Sequence, residues 1–198
     1  MTIPQYLEDM LQQENRSEAD FSMLSISYSV EESLSADIAI NIKYYNSKAI
    51  AYAKNYCGKQ DNACHVFLNE TDKTDCAHFV AHCLDAGGIT IKTTDPTANF
   101  CPSGLAVRNT DLVAALRFLA SKHDNMTEIG MVDAIVGDIG FLSNLRRPSH
   151  AFLLCEPVDL RDPLKPAKVW AHTSKKCCED TGAEIRQWFA TIFRITNS

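Results

Sequence analysis

An α+β fold is expected for this chain of 198 residues, and three observations carry the expectation. Apolar residues recur at helical spacing in the first two thirds of the chain, short apolar runs bounded by turn residues fill the last third, and no strand alternates with a helix in βαβ order. With 45% hydrophobic residues the chain can bury one sizeable core. A single domain over residues 41–198 is therefore expected, behind an N-terminal extension at residues 1–40.

The extension is polar and rich in Ser and Glu, with a short amphipathic start at Tyr6, Leu7, Met10 and Leu11. From Leu24 to Val30 apolar and polar residues alternate, the period of a half-buried strand. Between Ala36 and Cys57 the residues Ile38, Ile42, Tyr45, Ala49, Tyr52, Ala53 and Tyr56 share a helical face. One or two helices follow from this, with Asn46-Ser47 as a fresh start and Gly58 as a stop. Residues 59–74 read as a polar loop. Asp75 is placed to cap a helix from Cys76 to Ala86 that Gly87-Gly88 closes. On that helix Cys76, Phe79, Val80 and Cys83 share a core-facing side, while His78 and His82 share a side expected to face water. Residues 89–109, rich in Pro, Thr and Asn, read as a long substrate-binding loop. Asp111 then caps a helix from Leu112 to Ser121. The runs Ala134 to Leu142, His150 to Cys155, Lys168 to Thr173 and Phe189 to Ile195 read as antiparallel strands, with Asp138 as a turn residue.

A net charge of -6 with dispersed Lys and Arg argues against a nucleic-acid or membrane-surface partner. No run approaches ~18 consecutive apolar residues, and the start of the chain lacks the basic and apolar regions of a cleaved signal. The expected location is the cytoplasm, or outside it by a route that needs no cleaved signal. Eight cysteines stand at 57, 64, 76, 83, 101, 155, 177 and 178. In a reducing compartment they are mainly free thiols; the alternative is a disulfide between Cys57 and Cys64, or one involving the neighbours Cys177 and Cys178.

Cys76 lies directly behind a capping residue, where the helix N-terminus favours a thiolate. His150 and His172 lie in or beside apolar segments later in the chain. A thiolate attacking an amide carbonyl needs a base that later protonates the leaving amine, and a third group that orients the base. Cys76 as nucleophile, His150 as base and His172 as orienting partner fill these roles, with the Cys76 backbone N–H as an oxyanion donor. His78 and His82 stand at i and i+4, a metal-ligand spacing, but neither a Cys-x-x-Cys nor a His-Glu-x-x-His accompanies them. No metal and no cofactor are expected.

The tracts around these residues add a resemblance. Tyr44 to Ala53, Asp75-Cys76-Ala77-His78-Phe79-Val80 through Ala86-Gly87-Gly88, Gly137-Asp138-Ile139, Ser149-His150-Ala151-Phe152 and Trp170-Ala171-His172-Thr173 resemble the putative amidase domain family. That family belongs to the papain-like cysteine peptidase superfamily and is related to NlpC-like cell-wall peptidases. The resemblance implies a cysteine helix packed on an antiparallel sheet that carries both histidines, and thiol-dependent hydrolysis of a peptide-type amide, with cell-wall peptide or the target of an exported effector as substrate. Many members carry Thr-Asn where this chain has Ala77-His78, and a glutamine at the place of His82, which bears on substrate identity. Two alternatives stand beside the hydrolase: a non-catalytic binding module that keeps the papain-like fold, and a zinc-stabilised protein using His78, His82 and nearby cysteines. A peptide or amide substrate is the expected partner, with no nucleic acid and no membrane; the oligomeric state is open.

Overall fold

The short apolar runs in the last third of the chain are realised as a sheet, and the helical spacing before them as helices laid on one face of that sheet. The computed structural model describes residues 24–28, 42–58, 75–93, 104–106, 108–144, 147–157, 159, 167–172, 176–180 and 190–196. In chain order they form β1 (Leu24–Tyr28), α1 (Asn46–Tyr56), α2 (Cys76–Gly87), β2 (Ile89–Thr93), α3 (Asn109–Ala120) and β3 (Met126–Ile129). A 3-10 turn (Met131–Asp133), β4 (Ile139–Asn144), β5 (Arg147–Glu156), β6 (Lys168–Ala171), β7 (Lys176–Asp180) and β8 (Ala190–Ile195) follow. The α+β class is as expected: six antiparallel strands in the order β3-β8-β4-β5-β6-β7, with the helices packed against them.

Period-two side-chain alternation divides the sheet into two faces. Phe141, Ala151, Leu153, Trp170 and Phe193 join the helix side chains Ala49, Ala53, Phe79, Val80, Leu112 and Leu116 in the main core. Phe152, Leu154, Val169, Ala171 and Ile192 form a second cluster with Met131 and Ala134. Each fully buried large side chain contributes about 1.5–3 kcal/mol, so the main core outweighs any polar contact at the site.

Several expectations are corrected. The stretch 89–109 is not all loop: β2 pairs antiparallel with β1 from Leu24↔Thr93 to Tyr28↔Ile89. Ile89 and Ile91 are fully buried, and Leu105 returns to bridge Lys92 while the Ala106 N–H donates to the Ile91 carbonyl at 2.9 Å. Helix α1 runs from Asn46 to Tyr56, with the fresh start at Asn46 that the sequence offered, and residues 42–45 before it are not helical. There the buried Asn125 accepts from the Ile42 N–H at 3.1 Å and donates to the Ile42 carbonyl at 2.7 Å. Strand β4 starts only at Ile139, because residues 135–138 turn, with Gly137 at φ +91° and the Ile135 N–H donating to the Asp138 carboxylate at 2.7 Å. Asp138 is buried and also pairs with Arg194 of β8 at 2.9 Å, which gives it a structural role. Strands β3 and β7 carry no expectation from the sequence. The amphipathic start near Tyr6, residues 36–41 and the loop 59–74 lie outside the described residues.

Gly88 closes α2 with φ +108°, a conformation that side chains resist, and a Cβ there would stand 2.9 Å from the Lys43 carbonyl oxygen. Gly88→Ala is expected to lower unfolding stability by about 1–3 kcal/mol in urea titration. A loss below about 0.5 kcal/mol, the range of an ordinary surface substitution, would contradict this.

The reading of mainly free thiols is also corrected. Cys57 is bonded to Cys177 and Cys155 to Cys178, so the neighbours in β7 staple the end of α1 and the strand β5. The pairing Trp170↔Cys177 and Val169↔Glu179 leaves Cys178 as an extra residue in β7, at φ +61°. That bulge lets two adjacent sulfurs reach different partners. Among the described residues, Cys76 and Cys83 remain free.

Candidate active site

Helix α2 begins at Cys76 and ends at Gly87, and its N-terminus meets the middle strands of the sheet. Its first backbone N–H groups have no intrahelical acceptor, so the start of α2 favours negative charge at Cys76. Strand β5 brings His150 to the same place. The pairing Leu142↔His150 is followed by Ser143↔Pro148, so Ser149, directly before His150, is the extra residue of a bulge. Bulges re-aim neighbouring side chains.

His150 hydrogen-bonds the Cys76 sulfur, and the backbone N–H of Ala151 and the side chain of Asn109 bond it too. Burial pushes the Cys76 thiol up, but the hydrogen bond and charge of His150, helped by Ala151 and Asn109, outweigh it and bring the thiol down to about 7. A thiol poised to ionise near neutral pH results. The other free cysteine shows the contrast: Cys83, one face along the same helix, is completely buried, and burial pushes its thiol well above the ordinary range.

Asp75 stands at the N-cap position, yet it makes no side-chain cap, contrary to the expectation. Its carboxylate is instead 2.6 Å from Nδ1 of His172, whose Nε2 lies 2.7 Å from the Tyr56 carbonyl oxygen. Both ring nitrogens therefore stand in hydrogen-bonding positions, one on a carboxylate and one on a backbone carbonyl. The ring also stacks on Phe79 with centroids 4.2 Å apart. Cys76 and His150 are thus brought together, while both nitrogens of His172 are engaged by Asp75 and Tyr56. His172 ties β6 and the end of α1 to Asp75, the residue that precedes Cys76.

His78 and His82 do not face water, which corrects the expected face. They are 2% and 8% exposed, and their Nε2 atoms are 3.0 Å apart, so one ring donates to the other. The Tyr52 ring stacks parallel on His82 at 5.7 Å. Burial, and after it the neighbouring His82, hold the His78 imidazole down at about 4. Among the described residues no group of three or more His, Cys, Asp or Glu side chains is placed to hold a metal ion.

Sequence reasoning missed Asn109. Its carboxamide stands beside the Cys76 sulfur, with Nδ2 at 3.5 Å and Oδ1 at 3.7 Å. It is the first residue of α3, and the only local signal was an amide side chain at a helix start.

No helix among the described residues is long and apolar enough to cross a membrane. Comparison with curated proteins and with solved structures gives no match. Residues 43–109 match the family model described as a putative amidase domain. The matched stretch contains α1, α2, Cys76 and Asn109, and the match supports an amidase-like chain, a hydrolase acting on C–N bonds.

Proposed function

We propose that the protein is a thiol-dependent amidase that works through an acyl-enzyme at Cys76. The observation that carries this reading is the Cys76 sulfur at the start of α2, hydrogen-bonded to His150 and ionising near 7. The thiolate attacks the carbonyl carbon of a peptide-type amide, and the C=O electron pair moves onto oxygen. His150, protonated when the thiolate forms, gives its proton to the leaving nitrogen as the C–N bond breaks. A water, deprotonated by His150, then attacks the thioester carbon, and the C–S bond breaks to release the acid and return the Cys76 thiolate beside protonated His150. In this reading His172 is a positioning residue: with Asp75 it holds the start of α2, and so the sulfur, against β5 and β6. The papain-like, NlpC-like assignment and a cell-wall peptide or effector-target substrate rest on the resemblance of the tracts around Cys76, His150 and His172. Of the two expected locations, the exported one agrees better with two disulfides, which persist in oxidising compartments.

The test is the pH dependence of Cys76 alkylation by iodoacetamide, read by peptide mass spectrometry. Wild type is expected to gain reactivity as pH rises through about 7. His150→Ala removes the imidazolium that favours the thiolate, so the midpoint moves up toward about 8.5–9. A midpoint near 8.5 in both proteins would leave no catalytic pair and favour the non-catalytic binding module.

A further inference from the structure

A second polar group faces the nucleophile from outside the Cys76–His150 pair. Asn109 Nδ2 is 3.5 Å from the Cys76 sulfur. A thiolate only accepts hydrogen bonds, so the NH2 end of the carboxamide is the end that serves the reactive form. Asn109 is a helix-start residue, yet α3 has no side-chain cap and the amide is spent on the sulfur of another helix. Its position is rigid. The chain leading to it is fastened to β2 by the Leu105–Lys92 bridge and the Ala106 bond to Ile91, and α3 behind it buries Leu112, Ala115 and Leu116 completely.

When the sulfur bonds to a carbonyl carbon, the carbonyl oxygen comes to lie beside the sulfur and takes up negative charge. Donors about 2.7–3.1 Å from that oxygen stabilise it, provided they are already in place. A carboxamide donor in hydrogen-bonding range of the sulfur, on a rigid helix start, meets that condition. In the proposed function the His150 ring is taken up by proton transfer, which leaves the Asn109 carboxamide as the side-chain donor beside the sulfur.

We infer that the Asn109 carboxamide is the side-chain half of the oxyanion hole: Nδ2 donates to the resting thiolate and moves to the carbonyl oxygen as the tetrahedral intermediate forms, with the Cys76 backbone N–H as the second donor. Asn109 is then a catalytic residue, one that touches the reacting atoms. The inference rests on Cys76 being the nucleophile of the proposed function.

Two probes separate the roles. p-Nitrophenyl acetate acylates a thiolate through an oxyanion and releases p-nitrophenolate; iodoacetamide alkylates it by displacing iodide, with no oxyanion. Both rates are followed across pH, and only the high-pH plateaus are compared, which removes any change in thiol ionisation. Asn109→Ala is expected to lower the acylation plateau about 100-fold and to leave the alkylation plateau within about 3-fold of wild type. Asn109→Asp, of the same shape, keeps the packing but sets a carboxylate where the oxyanion forms, and should lower acylation at least as far. Parallel loss of both plateaus, or loss of neither, would overturn the oxyanion role while leaving Cys76 as nucleophile. Wild-type protein with no Cys76-dependent release of p-nitrophenolate would overturn the nucleophile, and this inference with it.

Discussion

Cys76→Ala is expected to lower amide turnover and acylation by p-nitrophenyl acetate by at least about 10⁴-fold, to the level of the uncatalysed reaction in this site. The fold should survive, because the change removes one small group from a core that Phe79, Phe141 and Phe193 dominate; the loss in stability is about 1 kcal/mol. Cys83 cannot take over. It is the other free thiol among the described residues, it lies on the same helix, and burial pushes its ionisation out of the working range. The two cysteines have the same chemistry and opposite environments: one at a helix start with a histidine, an amide and a backbone N–H on its sulfur, the other in the middle of the helix among apolar side chains. Turnover equal to wild type in a folded Cys76→Ala protein would end the amidase reading at this residue. An intermediate loss, shared with Cys83→Ala, would point to packing of α2 instead of nucleophilic attack.

What could be read in the sequence was local, and what could not was tertiary. The helix at Cys76 was legible because its stop is chemical: Gly88 is needed at φ +108°. β5, β6 and β8 were legible because each is a short apolar run between turn residues. β2 was not, because two isoleucines inside a Pro/Thr/Asn-rich stretch look like a loop until β1 pairs with them and Leu105 returns to cover the edge. β3 and β7 carry their polar residues outward and gain their place only from the register with β8 and β6. At the site, Cys76 and His150 were chosen by residue type and order, and they come together. Asp75 shows the limit of that reasoning: its position predicts a cap, but the carboxylate bonds the His172 ring instead. His78 and His82 show another. Amphipathicity assigns polar residues to water, and it fails on a helix buried over nearly all of its length, where two imidazoles bond each other. Asn109 had no signal strong enough, since its approach to Cys76 depends on how β2 and residues 104–106 deliver the start of α3.

His172→Ala should cost about 3–5 kcal/mol of unfolding stability, the loss that follows when a buried carboxylate is left without its hydrogen-bond partner. The size comes from what is left behind. The Asp75 side chain is 12% exposed, its Oδ2 would lose a 2.6 Å bond, and its Oδ1 is already buried without a hydrogen-bond partner. The Tyr56 carbonyl would lose its 2.7 Å donor, and Phe79 the ring stacked on it. All of these groups adjoin Cys76 or the α1 end that Cys57 staples to Cys177, so the damage falls on the helix start that holds Cys76. Asp75→Ala removes the other member of the pair, and the double variant should be less unstable than the sum of the two singles by about 1–3 kcal/mol, because neither partner is then stranded. Urea unfolding of the four proteins measures this directly. A His172→Ala loss below about 1 kcal/mol, or strict additivity in the double variant, would mean that the pair is solvated and that His172 does not position the start of α2. If the loss is as large as expected, the pH at which Cys76 becomes reactive should still track His150, since His172 acts on where the sulfur is held and His150 on how readily it ionises.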